Sequence, residues 1–260
     1  MLGITTCHII HAPTDRPEIS YNVTLCATQD KAKDQLTGYV VETLESKQGD
    51  PSFRMIVYGR STDAVDELAS IIGCKPFHAS RPKAEQAQTF KDWVEGKYRV
   101  VVATSLLGCG IDIEGVGSVV HYLTPWSVLD YAQESGRGGR GGRPSTSMIF
   151  ASQDEREPEE ESAYGKATMR RMVLERSQCR RTTLSAFLDK GQTTCATLPQ
   201  AELCDVCREQ AKAPHPGRLV RFSAPTIPKG DIPPLAKAPT IPPTSSSYEL
   251  ERSKFRELQR

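Results

Sequence analysis

The sequence predicts an α/β protein built around a parallel sheet with helices on both faces. Between residues 20 and 152, short runs rich in Val, Ile and Tyr alternate with longer segments whose apolar residues recur at helical spacing. Runs such as "YRVVVATS" are apolar throughout, which is typical of strands that are buried on both faces. Strands and helices that alternate in this way form parallel sheets, because each helix returns the chain to the edge where the next strand begins.

The pattern defines six strands and four connecting helices. Ser61 or Thr62 is predicted to cap the second helix, and Gly73 is predicted to end it. Helices are expected at residues 30–47, 61–73, 82–95 and 127–135. Strands are expected at "SYNVTL", "FRMIVYG", "KPFHA", "YRVVVATS", "GSVVHYL" and "TSMIFAS".

The character of the chain changes after residue 153. The acidic run "DEREPEEE" predicts a solvated helix start, because acidic side chains suit the positive end of the helix dipole. This helix is expected to continue through "AYGKATMRRMVLERS", and a second helix is expected over "RRTTLSAFLDKG". Prolines among Ser, Thr and Lys at residues 213–260 predict a disordered tail, with a short charged helix near its end.

Composition excludes several classes of protein. The net charge of +1 gives no overall basic field, so a nucleic-acid contact requires a local basic surface. The longest apolar runs are much shorter than a membrane span, and "MLGITTCHIIHAPTD" lacks the pattern of a signal peptide. Eight cysteines without a secretory signal favour reduced thiols or a metal site over disulfides. We therefore expect an intracellular protein without a membrane partner.

Four cysteines have the spacing of a metal site. Cys204 and Cys207 form a C-x-x-C pair, while Cys195 lies nine residues before Cys204 and Cys179 lies sixteen residues before Cys195. Four thiolates fit a tetrahedral structural Zn²⁺ that has no open position for water. A redox pair and scattered free thiols are the alternatives. We interpret the remaining cysteines as packing residues: Cys7, Cys26, Cys74 and Cys109.

The segment "VVVATSLLGCGIDIEG" places polar groups at the end of a predicted strand. Thr104 and Ser105 follow the strand at its carboxyl end, where open parallel sheets bind ligands, and their hydroxyls could bond phosphate. Gly108 and Gly110 allow a sharp turn before Asp112. A simple strand-to-loop turn explains the same residues equally well.

The stretch "RGGRGG" directly follows the fourth predicted helix. Gly136 is expected to end that helix in the left-handed conformation. Arg137 and Arg140 are three residues apart, so a helical turn would place them on one face. Two guanidinium groups fixed in this way suit a triphosphate, because arginine binds phosphate oxygens bidentately and keeps its charge. A disordered RNA-binding patch is the alternative, although two repeats are few for that class.

In this order, "RMIVYGRS", "VVVATSLLGCGID" and "YAQESGRGGRGG" resemble helicase motifs IV, V and VI of RecQ-type DNA helicases. The resemblance covers residues 12–209 and begins with "DRPEISYNV", which is similar to the family's passage between its two motor lobes. It also includes a helical pair followed by four cysteines, with "CRR" at the first ligand. The chain then divides into an inter-lobe linker (1–20), a RecA-like helicase C-terminal lobe (21–153), a helical hairpin with a zinc-binding module (154–212) and a Pro-rich tail (213–260).

The resemblance implies roles for particular residues. Arg140 would be the arginine finger and Arg137 its companion at the ATP γ-phosphate, where they stabilise charge on the transferred group. Thr104 and Ser61 would contact the DNA backbone, which positions the strand without reading its sequence. The nucleotide site would include Gln133, Gly136, Gly110 and Asp112, and the zinc ligands would be Cys179, Cys195, Cys204 and Cys207.

Some positions depart from the family pattern or carry weaker signals. The family usually has alanine where Gly138 stands, and glycine in a helical turn costs about 1 kcal/mol, so the loop is expected to be loosened. An acidic residue is usual at Gly141 and a methionine at Cys109, and "FHASRPKAEQAQ" replaces the usual "YHAGL" continuation. Trp93 and Trp126 could stack on bases, but core packing is expected for both. His78 and His121 are expected to make local hydrogen bonds without a catalytic role.

The sequence contains no G-x-x-x-x-G-K-[ST] phosphate loop and no D-E-x-H motif. In the family the nucleotide lies between two lobes, of which one supplies the phosphate loop and metal and the other the finger. The resemblance therefore implies ATP and Mg²⁺ only together with a first motor lobe, from an upstream segment or another chain. Alone, the chain is expected to lack appreciable ATP hydrolysis.

Three hypotheses follow from these observations. The first is the C-terminal motor lobe and zinc module of a RecQ-like 3′–5′ ATP-dependent DNA helicase, with single-stranded or forked DNA as partner and the nucleus as location. The second is a catalytically inactive nucleic-acid-binding or regulatory module. The third is an RNA-binding protein that works through its glycine-arginine stretch.

Overall fold

The computed structural model describes residues 13–108, 115–158 and 160–212. The Pro-rich tail and most of the predicted linker lie outside the described residues. So do four residues singled out from the sequence: Cys7, Cys109, Gly110 and Asp112.

The described residues form one six-stranded sheet in which every pair of neighbouring strands is parallel. The strand order is β1-β6-β5-β2-β4-β3. The predicted α/β class with a parallel sheet is therefore confirmed. The strands are β1 (Ile19–Cys26), β2 (Arg54–Tyr58), β3 (Pro76–Phe77), β4 (Val100–Ala103), β5 (Val116–Tyr122) and β6 (Ser145–Ser152).

Helices cover both faces of the sheet, because alternate residues of each strand point to opposite faces. In β2, Met55 and Val57 join a core cluster with the first two helices, whereas Ile56 and Tyr58 join a cluster on the other face. The helices between strands are α1 (Gln29–Ser46), α2 (Thr62–Ile72), α3 (Lys83–Val94) and α4 (Val128–Ser135). After the sheet come α5 (Lys166–Leu174), α6 (Arg180–Leu188) and α7 (Asp205–Lys212).

The caps of α2 are the ones predicted. The hydroxyl of Ser61 accepts a hydrogen bond from the Ala64 N–H at 3.2 Å, and Gly73 ends the helix in the left-handed region with φ of 77°. Only glycine adopts that conformation without strain. The terminal residues of this helix could therefore be read from the sequence.

The predicted helix start within the acidic run is wrong. The helix begins at Lys166, after Gly165 with φ of 85°. The acidic side chains instead bind the end of the sheet: Glu155 accepts hydrogen bonds from the Ser152 and Thr124 N–H groups at 3.0 and 3.1 Å. These tertiary contacts hold the segment against β6, and they replace the favourable dipole interaction on which the prediction rested.

Candidate functional sites at two edges of the sheet

The glycine-arginine stretch forms a loop, residues 136–144, that we call the arginine loop. It lies at the amino edge of the sheet, because α4 runs back across the sheet and β6 begins directly after the loop. The Gly139 N–H donates to the Val116 carbonyl at 3.1 Å, and the Ser145 N–H donates to the Glu18 carbonyl at 2.9 Å. The loop is therefore joined to the first residues of β5 and β6 and to the residue that precedes β1.

The backbone of the arginine loop differs from the predicted one. Gly136 is right-handed with φ of −62°, so the predicted left-handed end of the helix at this residue is wrong. The left-handed residues of the loop are Gly139, Gly141 and Gly142, with φ of 71°, 75° and 75°. Because the kink at Gly139 separates Arg137 from Arg140, the two arginines do not lie on one continuous helical turn. Arg137 is buried and Arg140 is half-buried.

The glycine at position 138 is closely packed. A Cβ there would come within 2.1 Å of the Ser145 hydroxyl oxygen and 3.2 Å of the Ser145 Cβ, so the Ser145 side chain would have to rotate away. At Gly139, a Cβ would lie 2.6 Å from the side chain of Glu18. The expectation that glycine at position 138 loosens the loop stays a prediction.

Arg16 fastens the arginine loop from a distant part of the chain. Its two terminal nitrogens donate to the carbonyls of Gly136 and Gly138 at 2.6 and 2.8 Å. Its Nε donates to the Glu18 carboxylate at 2.6 Å, which fixes the plane of the guanidinium group. Sequence reasoning missed this residue, because no local pattern connects it to the loop.

The candidate nucleotide residues line two clefts near this edge. Gln133 and Gly136 line a cleft of about 290 Å³, together with Arg16 and Arg181. Arg140 lines a separate cleft of about 300 Å³. The structure therefore places Gln133 and Arg140 near the same edge but in different clefts.

Thr104 and Ser61 lie at the opposite, carboxyl edge of the sheet. They follow β4 and β2, whose last residues Ala103 and Tyr58 are paired, so they leave the sheet from neighbouring strands. Thr104 is buried, and its hydroxyl makes no hydrogen bond among the residues that the structure describes. Ser61 is exposed at the N-terminus of α2.

Trp126 also lies at the carboxyl edge, and the expectation that it packs in the core is wrong. It is 44% exposed, whereas Trp93 is 1% exposed and confirms the same expectation. The Arg60 guanidinium lies 4.3 Å from the centre of the Trp126 ring, and it forms an ion pair with Glu155 at 2.8 Å. One local feature of the sequence points to this group, since Arg60 directly precedes Ser61 at the end of a strand.

Both histidines make the local hydrogen bonds that were expected. His78 Nε2 lies 3.1 Å from an Asp66 carboxylate oxygen, and His121 Nε2 lies 3.0 Å from a Glu134 carboxylate oxygen. Each imidazole is buried beside its acidic partner.

The four predicted cysteine ligands come together in the structure. The sulfur atoms of Cys179, Cys195, Cys204 and Cys207 all lie within 4.8 Å of one another. Cys179 Sγ is 3.6 Å from Cys195 Sγ and 3.9 Å from Cys204 Sγ. Four sulfurs at about 2.3 Å from a central ion are about 3.8 Å apart, and a disulfide requires about 2.05 Å. The cluster could therefore bind a metal ion.

A bound cation would also change the protonation of the four clustered cysteines. Burial raises the pKa of the Cys207 thiol to about 12, so without a positive charge nearby this group stays protonated at neutral pH. Metal binding reverses that preference, because the ligand is the thiolate.

The cysteine cluster is fastened to the sheet by the two arginines of "CRR". Arg180 makes two hydrogen bonds with Asp205, at 2.9 and 2.8 Å, and Asp205 accepts the Val23 N–H of edge strand β1 at 3.1 Å. Arg181 is 2% exposed and donates to the carbonyls of Arg16 and Ile19 at 2.8 and 2.7 Å. The cluster and the arginine loop are therefore attached to the same short segment of chain.

Among the described residues, no helix has the length and apolar character needed to cross a membrane.

Comparison with known proteins agrees with this arrangement. Residues 35–142 match the family described as "Helicase conserved C-terminal domain". A Caenorhabditis briggsae protein named for ATP-dependent DNA helicase Q1 is 29% identical over 226 residues, which cover 82% of this chain and 35% of that protein. The ATP-dependent DNA helicase Q5 of Rattus norvegicus is 32% identical over 152 residues, which cover 56% of this chain and 16% of that protein.

A solved structure, "Mss116p DEAD-box helicase domain 2 bound to an RNA duplex", is 17% identical and superposes with a TM-score of 0.49 over 59% of this chain and 58% of that one. The fold of this chain is defined by its own strand order.

The parallel sheet and the matched domain define the C-terminal lobe of a helicase. More narrowly, the chain is similar to the C-terminal half of RecQ-like helicases, because its relatives include proteins named for the Q1 and Q5 types. The chain spans about a third or less of the length of these relatives.

Proposed function

We propose that the chain works as the second motor lobe of a RecQ-like 3′–5′ ATP-dependent DNA helicase. The observation that carries the proposal is the arginine loop, whose backbone is fastened at the amino edge of the sheet by Arg16. Arginines presented from a fixed backbone stabilise the charge that develops on a transferred phosphoryl group, because the site needs no rearrangement during the reaction.

In this proposal Arg140 is the arginine finger and Arg137 is its companion. Gln133 and Gly136 belong to the nucleotide site, together with Gly110 and Asp112. ATP and Mg²⁺ enter with a first motor lobe, which supplies the phosphate loop and the metal ligands. The separation of Gln133 and Arg140 into two clefts fits a site that is completed only when the first lobe closes on this edge.

We place the DNA at the carboxyl edge, where Thr104 and Ser61 contact its backbone. The N-terminus of α2 adds a favourable field for a phosphate, because its first N–H groups carry partial positive charge. Such contacts hold a strand in register without reading its sequence. The preferred DNA is single-stranded or forked, and the nucleus and DNA repair are the setting in which this activity is used.

We assign Zn²⁺ to the cysteine cluster, with Cys179, Cys195, Cys204 and Cys207 as ligands. Four thiolates leave no open position for water, so the ion is structural rather than catalytic. Its effect is to hold α6 and α7 against β1, the edge strand of the sheet.

ATP hydrolysis tests the assignment of Arg140. We compare the chain alone with the chain fused behind the first motor lobe of a RecQ-like helicase, each with and without single-stranded DNA. The chain alone is expected to be inactive and the fusion active. Arg140→Ala is expected to lower the turnover of the fusion by roughly a thousandfold, the effect typical of arginine fingers. Arg156→Ala, an arginine outside the loop, serves as the matched control.

Two outcomes contradict the proposal. One is turnover by the isolated chain that Arg140→Ala abolishes, because the first lobe would then be dispensable. The other is an active fusion that tolerates Arg140→Ala. A fusion without turnover, prepared from a chain that still binds DNA, favours the catalytically inactive nucleic-acid-binding module instead.

A further inference from the structure

Trp126 is a large aromatic side chain that the fold leaves exposed at the carboxyl edge of the sheet. It follows the end of β5, and 44% of its surface remains exposed. A second exposed aromatic residue, Tyr164, is held near the start of α4, the helix that follows Trp126, because its carbonyl accepts the Leu129 N–H at 3.3 Å. Residues of this size are normally buried, and exposed aromatics at one edge point to a ligand with a flat apolar surface.

The Trp126 ring contacts an arginine that is held in place by a buried carboxylate. The Arg60 guanidinium lies 4.3 Å from the centre of the ring, close enough for a cation–π interaction. Arg60 is held there by Glu155 at 2.8 Å. The Glu155 carboxylate in turn accepts hydrogen bonds from the Thr124 hydroxyl at 3.0 Å and from the Ser152 N–H at 3.0 Å. The arginine therefore occupies one side of the ring, while exposed ring surface remains for another planar group.

We propose that Trp126 is a stacking platform for an unpaired base of a single strand. The proposal rests on the nucleic-acid contact proposed above for the same edge. Arg60 directly precedes Ser61 after β2, and Trp126 follows β5, so the stacked pair and the proposed phosphate contact leave the sheet from neighbouring strands. A base has the planar apolar face that the ring needs, and the cation beside it attracts the phosphate that accompanies every base.

A protein partner is the competing explanation for an exposed aromatic residue. The groups around Trp126 favour a nucleic-acid strand, because an arginine, the exposed hydroxyl of Ser61 and the N-terminus of α2 lie at this edge. These groups suit a repeating anion better than an apolar protein surface, whose burial would leave the arginine without water. Stacking also tolerates any sequence, which a motor that moves along DNA requires.

Intrinsic tryptophan fluorescence tests this proposal. It has two tryptophans, and Trp93 is buried, so a change in emission on adding an oligonucleotide reports on Trp126. We titrate the full chain with oligothymidylate, with an abasic strand of the same length and charge, and with oligouridylate. Both base-containing strands are expected to quench the emission, and the abasic strand is not. The ratio of the two affinities shows which polymer the platform prefers.

Substitution separates stacking from phosphate contacts. Trp126→Ala is expected to weaken binding of the base-containing strand about tenfold, while binding of the abasic strand is unchanged. Trp126→Phe is expected to recover part of the loss, because it restores a smaller ring. The dependence of affinity on salt is expected to stay the same in both variants, since no phosphate contact is removed.

The outcomes distinguish the two proposals. If oligothymidylate binds but Trp126→Ala leaves its affinity unchanged, or if the abasic strand quenches equally, the platform is overturned while the nucleic-acid contact stands. If no oligonucleotide binds the chain, both proposals fall, and the exposed ring is then better explained by a protein partner. Quenching that requires bases, together with a loss confined to base-containing strands, establishes the platform.

Discussion

Arg16 lies 120 residues before the first of the two glycine carbonyls that it binds, yet it sets the shape of the arginine loop. A planar guanidinium group can reach both carbonyls and Glu18 at once, because its donors point in fixed directions within one plane. Its own carbonyl accepts from Arg181, which follows the first cysteine of the cluster. We therefore regard Arg16 as the positioning residue of the loop, through which the side chains of Arg137 and Arg140 keep their places.

Replacement of Arg16 tests this role without any need for catalysis. Arg16→Ala removes two hydrogen bonds from a charged donor to the loop, an effect of about 2 kcal/mol on the local opening of the loop. We expect hydrogen exchange at the Gly139 and Gly142 amides to accelerate roughly tenfold or more. Arg16→Lys is expected to recover little, because an ammonium group cannot span both carbonyls.

Arg171→Ala serves as the matched control for this measurement. Arg171 is an exposed arginine that pairs with Glu161 and does not contact the loop. Its removal is expected to leave the exchange of the Gly139 amide unchanged. If Arg16→Ala also leaves that exchange unchanged, the loop holds its shape without Arg16 and the positioning role is wrong.

The residue scale also shows what a sequence can and cannot predict. Arg137, Arg140 and the four cysteines were singled out because their chemistry is written in short motifs with characteristic spacing. Arg16 and Glu155 were missed, because their partners lie far along the chain and nothing in the local pattern points to them. Trp126 was misjudged for a related reason: periodicity shows which residues are apolar, not which of them the surrounding helices cover.

At the scale of elements, α2 links stability to the proposed DNA contact. Its cap, Ser61, accepts a hydrogen bond from the Ala64 N–H and is also the residue that we place on the DNA backbone. The helix start and stop were predictable, because capping residues and a left-handed glycine are local signals. The start of α5 was not, because tertiary hydrogen bonds to Glu155 decide where the preceding acidic segment lies.

Two substitutions at Ser61 separate its two roles. Ser61→Ala removes the cap and is expected to cost about 1 kcal/mol in the free energy of unfolding, measured by denaturant titration. Ser61→Asp keeps a capping oxygen, so stability is expected to stay close to that of the unaltered protein. Its negative charge repels a phosphate, so binding of single-stranded DNA is expected to weaken severalfold.

Ser61→Asn provides the neutral control, because it caps equally well without adding charge. Equal DNA binding by the Asp and Asn variants would show that no phosphate of the DNA binds at the N-terminus of α2. Loss of stability in the Asp variant would show instead that the side chain cannot reach the Ala64 N–H.

At the scale of the whole molecule, the cysteine cluster and the sheet form one packed unit. Cys195 and Cys204 belong to the same buried cluster as Ile19 of β1, Tyr131 of α4 and Ile149 of β6. Hydrogen bonds from Val23 and Ser20 to the segment 203–205 cover the edge of β1, which would otherwise present unpaired backbone groups. The division of the sequence after residue 153 thus marks a change of composition rather than a break in the core.

Removal of the metal tests whether the cysteine cluster and the sheet unfold as one unit. We expect one zinc ion per chain by elemental analysis, and a single cooperative thermal transition for the loaded protein. Chelation or Cys204→Ser is expected to lower the midpoint of the whole transition by about 10 °C, which corresponds to a loss of roughly 4 kcal/mol for a chain of this size. Cys74→Ser, at a thiol outside the cluster, is the control and is expected to retain the zinc. Two separate transitions, of which only the smaller depends on metal, would show that the sheet is stable without the module. A metal content far below one ion per chain would show that the cluster does not bind zinc.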